Sequence, residues 1–268
     1  MRKVSRAIRL KRLSDLRGIR ASGLVSAGVL RMMEEWIRPG VSTAELDRLA
    51  EDYIRSHGGV PAFKGYRGFP ATICSSVNEE IIHAIPSGRR VLREGDVITI
   101  DVGTVLNGYF SDTARTYFVG EGEPPEEVGR LLEGTESALW AGIRRMRTGG
   151  RLGEVSAAIE EELARFGLTV IRELTGHGVG FELHEPAPVV YNFGSPDEGP
   201  VLEDGLVIAI EPMASLGSGD IIPCSDGWTY KTRDGSLSAH FEHTVGLWQG
   251  EPVVLTDPDW EVGWSQDY

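Results

Sequence analysis

Residues 92–120, LREGDVITIDVGTVLNGYFSDTARTYFVG, constrain the fold more than any other part of the chain. Asn107-Gly108 is the signature of a two-residue type I′ turn, because both central positions of that turn need positive φ. The flanking runs predict a β-hairpin whose register follows by counting outward: Leu106 faces Tyr109, Val105 faces Phe110, Thr104 faces Ser111 and Gly103 faces Asp112. Side chains alternate between faces along a strand, so Asp101 shares a face with Gly103 and is a diagonal neighbour of Asp112. Gly103 is expected to leave the space beside them open. Two carboxylates held that close repel each other, and a shared proton or a cation has to relieve them.

Before the hairpin, Ser14 is expected to cap a helix whose apolar positions Leu16, Ile19, Gly23, Ala27, Leu30, Met33 and Ile37 recur at helical spacing until Pro39-Gly40. Ser42 and Glu45 form a capping box for a second helix, with Leu46, Leu49, Ala50, Tyr53 and Ile54 as its stripe and His57-Gly58-Gly59 as its end. Short β-like runs follow at 71–76 and 80–84. After the hairpin the plan recurs. Pro125 starts a helix carrying Val128, Leu131, Leu132, Thr135, Leu139, Ile143 and Met146, closed by Gly149-Gly150. A fourth runs through Val155, Ile159, Leu163 and Phe166 to Gly167, and TVIREL (169–174) reads as a strand feeding a Gly-rich turn, Gly176-His177-Gly178.

The recurrence extends to single residues. LREGDVITID (92–101) aligns without gaps on LEDGLVIAIE (202–211), placing Asp101 against Glu211. Glu242 stands eight residues before Gly250-Glu251, as Asp112 stands eight before Gly120-Glu121. The expectation is one domain over residues 1–268, built from two related halves at about 14–121 and about 125–251. A basic arm, 1–13, precedes them and a tail, 252–268, follows. Each half would bring one acid pair to a common centre.

Composition narrows the classes of function. No run of 18 apolar residues exists to span a membrane, and the N-terminus lacks the apolar segment of a secretory signal. Two cysteines 150 residues apart, Cys74 and Cys224, build neither a disulfide framework nor a zinc finger, which points to a reducing cytoplasm. The net charge of −13 argues against general nucleic-acid binding. Residues 1–20 nevertheless hold eight of the 27 Lys and Arg and one of the 40 acids, leaving the remainder at −20. That arm is either a tether to an anionic surface such as RNA or a solvated tail and helix start.

Of six histidines, His57 belongs to a helix end, whereas His177 lies between two glycines that let an imidazole come right up to a ligand. His184 follows on the same loop. Four carboxylates with an imidazole and no thiolate suit Mn, Fe(II), Co or Zn in a two-metal hydrolytic cluster rather than a structural zinc. There is no GxxxxGK[ST], HExxH or GxSxG. Cys74 with His83 could form a nucleophile pair, but no other feature supports it, and Cys74 reads as a small apolar wall residue.

Asp101, Asp112, His177, Glu211 and Glu242, set in IDVGTVLNGYFSDTA, TGHGVGFELHE, IAIEPM and SAHFEHT, resemble the five metal ligands of the pita-bread metallopeptidases. GYRGFPATICSSVNEEIIHAIP and DGWTYKTRDGSLSAHFEHT are similar to the type I methionine aminopeptidases within that family, over about residues 14–256. The resemblance implies an α+β pita-bread fold: two pseudo-symmetric halves with a curved antiparallel sheet covered by helices. It implies two divalent ions bridged by Asp112 and Glu242, with Asp101 on one and His177 and Glu211 on the other. Glu211 would also relay a proton, His184 would donate to the oxyanion, and His83 would position the peptide. Tyr66, Phe69, Cys74, Leu183 and Trp228, with His83 and His184, fall where the family binds methionine. The function implied is removal of the initiator methionine from nascent chains with a small second residue, by a cytoplasmic monomer that could touch the ribosome through the basic arm. Ala84, Pro186 and Val190-Tyr191 depart from the family pattern and bear on pocket shape, not on the metals.

Two rivals frame the expectation. Prolidase-like Xaa-Pro peptidases use the same ligands but add an N-terminal domain for which 268 residues leave no room. A metal-free pita-bread binding module would not need to keep five ligands.

Overall fold

The computed structural model describes residues 8–262 and 264. The first seven residues of the basic arm and Tyr268 of the tail lie outside the described residues. The first half contains α1 (Leu13–Trp36), α2 (Thr43–Ser56), β1 (Val60–Pro61), β2 (Ile73–Val77), β3 (Glu80–Ile82), β4 (Val97–Leu106) and β5 (Tyr109–Phe118). The second contains α3 (Glu126–Arg145), α4 (Leu152–Arg165), β6 (Thr169–Val170), β7 (Gly176–Gly178), β8 (Glu185–Val190), β9 (Val207–Ile210), β10 (Met213–Ser215), β11 (Ile221–Pro223), β12 (Tyr230–Thr232), β13 (Ser238–His240), β14 (His243–Trp248) and β15 (Glu251–Val254). Four antiparallel ladders result: β4 with β1, β2 and β5; β15-β14-β9-β7-β8; β13-β10-β6; and β11-β12-β3.

The hairpin forms as its turn residues require. Asn107 and Gly108 take φ of 51° and 84°, and the ladder runs from Leu106↔Tyr109 through Gly103↔Asp112. Ile98, Ile100 and Val102 pack with Val29, Met33, Leu46 and Ile54 of α1 and α2, each fully buried isoleucine contributing roughly 1.5–3 kcal/mol. Alternation then turns Thr99, Asp101 and Gly103 to the opposite face. In the second half, Ile208 and Ile210 pack under α3 and α4 with Leu139, Ile143, Val155 and Ile159. Glu211 therefore continues the face opposite to them.

The space beside Gly103 is not open. A Cβ there would lie 2.7 Å from the Phe63 ring and 3.0 Å from Ala62 Cβ, so the missing side chain makes room for a neighbouring aromatic ring. The first helix is capped differently as well: Arg12 is its N-cap, and the Asp15 carboxylate accepts from the Arg12 backbone N–H at 2.8 Å. An acid at the third helical position answers the unpaired N–H better than Ser14 inside the first turn. TVIREL contracts to the two-residue β6 at a sheet edge, while Ile171 turns into the core. Gly176-His177-Gly178 is not a turn but a strand between β8 and β9. Its glycines permit that closeness, because a Cβ on Gly176 would fall 2.3 Å from the Ala209 carbonyl oxygen.

A hydrogen-bonded seam joins the halves. Asp112 stands at a non-hydrogen-bonded ladder position, so its backbone N–H and C=O point away from β4. Thr244 Oγ1 meets both, accepting from the N–H at 3.0 Å and donating to the carbonyl at 2.7 Å. Beside it, Ala114 bridges Glu242 and Thr113 Oγ1 donates to the Glu242 carbonyl at 2.7 Å. Thr116 Oγ1 accepts the His240 N–H at 2.9 Å and donates to its carbonyl at 2.8 Å. The internal echo differs in register: Asp112 lies opposite Gly103, two residues beyond Asp101, whereas continuing His243↔Ile210 sets Glu242 across from Glu211.

The tail returns to the body, with Trp260 stacked on Trp140 at 6.0 Å. Arg20 of α1 donates to the backbone carbonyls of Val254, Asp257 and Trp260. Replacing Thr244 with Val leaves two buried backbone groups of Asp112 without partners, at about 1–3 kcal/mol each. Urea unfolding of Thr244→Val should show a loss in that range, and wild-type stability would mean that the seam does not hold the halves together.

Candidate metal centre

One cavity of about 340 Å³ is lined by every residue singled out above for the site: Tyr66, Phe69, Cys74, His83, Asp101, Asp112, His177, Leu183, His184, Glu211, Trp228 and Glu242. Its floor is acidic. Asp101 comes from β4, Asp112 from β5, Glu211 from the end of β9 and Glu242 from between β13 and β14, and none is more than 8% exposed. Ligand atoms of Asp112, His177 and Glu242 lie within 4.8 Å of one another. His177 Nε2 is 3.7 Å from Asp112 Oδ2 and 3.6 Å from Glu211 Oε1.

Burial pushes all four carboxyls up. Asp101 reaches about 7, while Asp112, Glu211 and Glu242 rise well above their ordinary values, first through burial and then through mutual repulsion. Asp101 and Asp112 act on each other's ionisation, so with no ion bound a proton relieves the pair. Burial also lowers His177 to about 4, which leaves it neutral. Its Nδ1 lies 3.0 Å from the Gly178 carbonyl, which requires the N–H there and leaves Nε2 with a free lone pair towards the carboxylates. Asp101 Oδ1 and Asp112 Oδ1 are buried without hydrogen-bond partners. Bare acceptor oxygens around a bare imidazole nitrogen are what a divalent cation satisfies, so these residues fit one.

Above the floor the wall is apolar and aromatic. Phe69 meets Trp228 edge-on at 5.2 Å, and Tyr66 stacks on His184 at 5.3 Å. Cys74 pairs with Asp101 across the β2–β4 ladder. Burial and the two aspartates drive its thiol well up, so it is a neutral wall residue and not a thiolate nucleophile. His184, lowered to about 3 by burial and by His177, lies 4.1 Å ring to ring from His177 and keeps Nδ1 without a partner. His83, at φ 59°, also lines the cavity. None of the departures from the family pattern lines the cavity: Ala84 is buried beside His83, Pro186 is on an edge strand facing solvent, Tyr191 is exposed and Val190 is core.

Sequence reasoning passed over two neighbours. Phe63 completes the aromatic wall, but nothing periodic marks it in VPAFKGY. His240 is 1% exposed, and its Nε2 lies 3.7 Å from Glu211 Oε2. The signal was legible: two residues before Glu242 on an extended run, it shares the face of that carboxylate. His243 faces the other way, towards Thr256 at 2.9 Å.

Residues 17–247 match the profile of metallopeptidase family M24. The chain belongs to that family. Membership brings the use of divalent metal. The methionine aminopeptidase of Clostridium acetobutylicum is 45% identical over 247 residues, spanning 92% of this chain and 98% of its own. That of Borreliella burgdorferi is 46% identical over 251 residues, with 93% and 98% covered. The crystal structure of methionine aminopeptidase from Thermotoga maritima matches with a TM-score of 0.91 at 40% identity, over 94% of this chain and 100% of that one. The fold is thus the pita-bread fold of these enzymes. The prolidase of Pyrococcus furiosus shares the fold at a TM-score of 0.73 and 24% identity, over 93% of this chain and 66% of that one.

The carboxyl shifts set a pH dependence. The buried histidines, lowered in the folded chain, add a slope of opposite sign around their unfolded value of 6.5, and it has faded by about pH 7.5. Unfolded, the acids ionise near pH 4, whereas folded Asp101 keeps its proton to about 7 and its three neighbours are raised too. Above the histidine range the folded state binds more protons through its carboxyls, so its stability falls as pH rises. In chelator, Tm should drop between about pH 7.5 and 8.5, where the histidines no longer contribute, and saturating Mn²⁺ should remove the drop. A Tm that climbs in chelator over that range would contradict the shifts.

Proposed function

We propose that this chain is a dinuclear-metal aminopeptidase that removes the N-terminal methionine from polypeptides with a small second residue. The observation that carries the reading is a cluster of four buried carboxylates and a neutral imidazole opening directly into an aromatic pocket around Tyr66, Phe69 and Trp228. Methionine suits such a pocket, because its flexible thioether packs well against ring edges and the Cys74 sulfur. The relatives at 45% and 46% identity favour methionine over the Xaa-Pro specificity of the distant prolidase.

Asp101, Asp112, His177, Glu211 and Glu242 would hold two divalent ions, and Co, Mn, Fe or Zn all suit this donor set. The ions would supply Lewis-acid polarisation and a water of lowered pKa. Glu211 accepts and passes on the proton of the attacking water. His184, neutral and with an unpaired Nδ1, donates to the oxyanion as it develops. His83, made neutral by burial, orients the peptide at the scissile nitrogen. Both halves supply ligands, so residues 1–268 act as one catalytic unit, a cytoplasmic monomer in this reading.

Contact of the basic arm with the ribosome rests on the charge of residues 1–20. Some of that charge is already engaged: Lys11 Nζ pairs with buried Glu185 at 2.7 Å, and Arg20 binds backbone carbonyls.

With Mn²⁺ or Co²⁺ the protein should release Met from Met-Ala-Ser and leave Ala-Pro-Ala uncut, and chelator should abolish the activity. Absence of Met release at every metal tested would overturn the function. Asp101→Asn should cut kcat by more than about 100-fold, since a ligand is worth more than its supports. Its chelated Tm should equal or exceed wild type, because the change removes repulsion. Full activity in that variant would show that Asp101 is no ligand.

A further inference from the structure

His240 is the buried titratable group that the roles above leave unused. Its backbone is fixed twice, by the β13–β10 ladder opposite Met213 and by both hydrogen bonds to Thr116, so the ring has little freedom of position. Among the described residues neither ring nitrogen has a hydrogen-bond partner, although the residue is 1% exposed. A buried polar group left in that state is costly, and such groups call for a function. The ring faces one carboxylate: Nε2 stands 3.7 Å from Glu211 Oε2, while Glu211 Oε1 stands 3.6 Å from His177 Nε2. Glu211 is therefore bracketed by two imidazoles from different sheets, and Asn192 Nδ2 pins its backbone carbonyl at 2.9 Å. The two imidazoles cannot do the same work. His177 spends its N–H on the Gly178 carbonyl and presents a lone pair, whereas Glu211, once a bound cation keeps it ionised, only accepts, so the nitrogen of His240 that meets it must then carry the proton.

We propose that His240 is a positioning residue for Glu211: its Nε2–H, facing Oε2 across 3.7 Å, attracts that oxygen once the carboxylate is ionised and so favours the orientation that turns Oε1 towards the metal site. This rests on the metal-ligand role given to Glu211 above. Outer partners that orient a ligating carboxylate are typically worth 10–100-fold in metal affinity or activity.

The test compares His240→Phe, which keeps the ring volume without nitrogens, with His240→Gln, which keeps a donor at similar reach. Mn²⁺ affinity is measured by calorimetry on the chelator-stripped full chain, and kcat and KM on Met-Ala-Ser. His240→Phe should weaken Mn²⁺ binding by about 10–100-fold and lower kcat with KM within about twofold of wild type. His240→Gln should recover most of both, and the chelated Tm of the two variants should match. Wild-type Mn²⁺ affinity in His240→Phe, or equal losses in both variants, would overturn the proposal and leave His240 as packing. Wild-type protein that binds no Mn²⁺ would instead overturn the metal reading itself, and this proposal with it.

Discussion

Four carboxylates forced out of water within one cavity are the constraint on which this molecule turns. Their mutual repulsion cannot be screened by solvent, because each is at most 8% exposed. A fold that placed them together for no purpose would be better off with apolar residues of like volume. Protons can relieve the repulsion only at the expense of charge, as the raised carboxyls show. A divalent cation relieves it while keeping the charge. The aminopeptidase reading follows from that choice, since the same cation that stabilises the cluster would also lower the pKa of a bound water.

The remaining parts of the site serve the cluster. Threonine hydroxyls close the seam between the halves, giving partners to backbone groups of Asp112, Glu242 and His240 that their own ladders leave unpaired. Threonine fits there because it favours strands and its hydroxyl both donates and accepts. Neutral imidazoles lie around the carboxylates: His177 presents a lone pair, His184 lines the cavity with an unpaired Nδ1, and His240 faces Glu211 at 3.7 Å. The aromatic wall borders the same space. Acid floor, imidazole flank and apolar wall meet in a volume of about 340 Å³, which suits one side chain and a scissile bond rather than a folded protein.

Much of this was legible in advance, for identifiable reasons. Asn107-Gly108 dictates a turn type, the turn dictates a register, and the register puts Asp101 beside Asp112. The alignment of 92–101 on 202–211 led to Glu211 because both strands bury one face under a helix pair. The misreadings share a cause. Gly103 was taken for a gap and Gly176-His177-Gly178 for a turn, when in both places glycine admits a neighbouring ring or backbone arriving from elsewhere in the chain. Ser14 lost the cap to Asp15, which Tyr109 of the hairpin also holds, at 2.9 Å. His240 was passed over although its spacing from Glu242 marked its face, because a strand face has no meaning until its opposite side is known.

The sequence by itself determined which side chains could meet: local turn chemistry and strand alternation fix faces and registers within about ten residues. It offered a candidate donor set, and from it a class of chemistry. Only the tertiary structure decided how the halves meet. The two-residue offset that puts Asp112 opposite Gly103 but Glu242 across from Glu211 is set by a seam between residues some 130 positions apart, which no local pattern encodes. Burial was likewise decided only there. Carboxylates at the surface would stay ionised and apart, and it is the walls contributed by both halves that drive their pKa values up and make a cation the natural occupant.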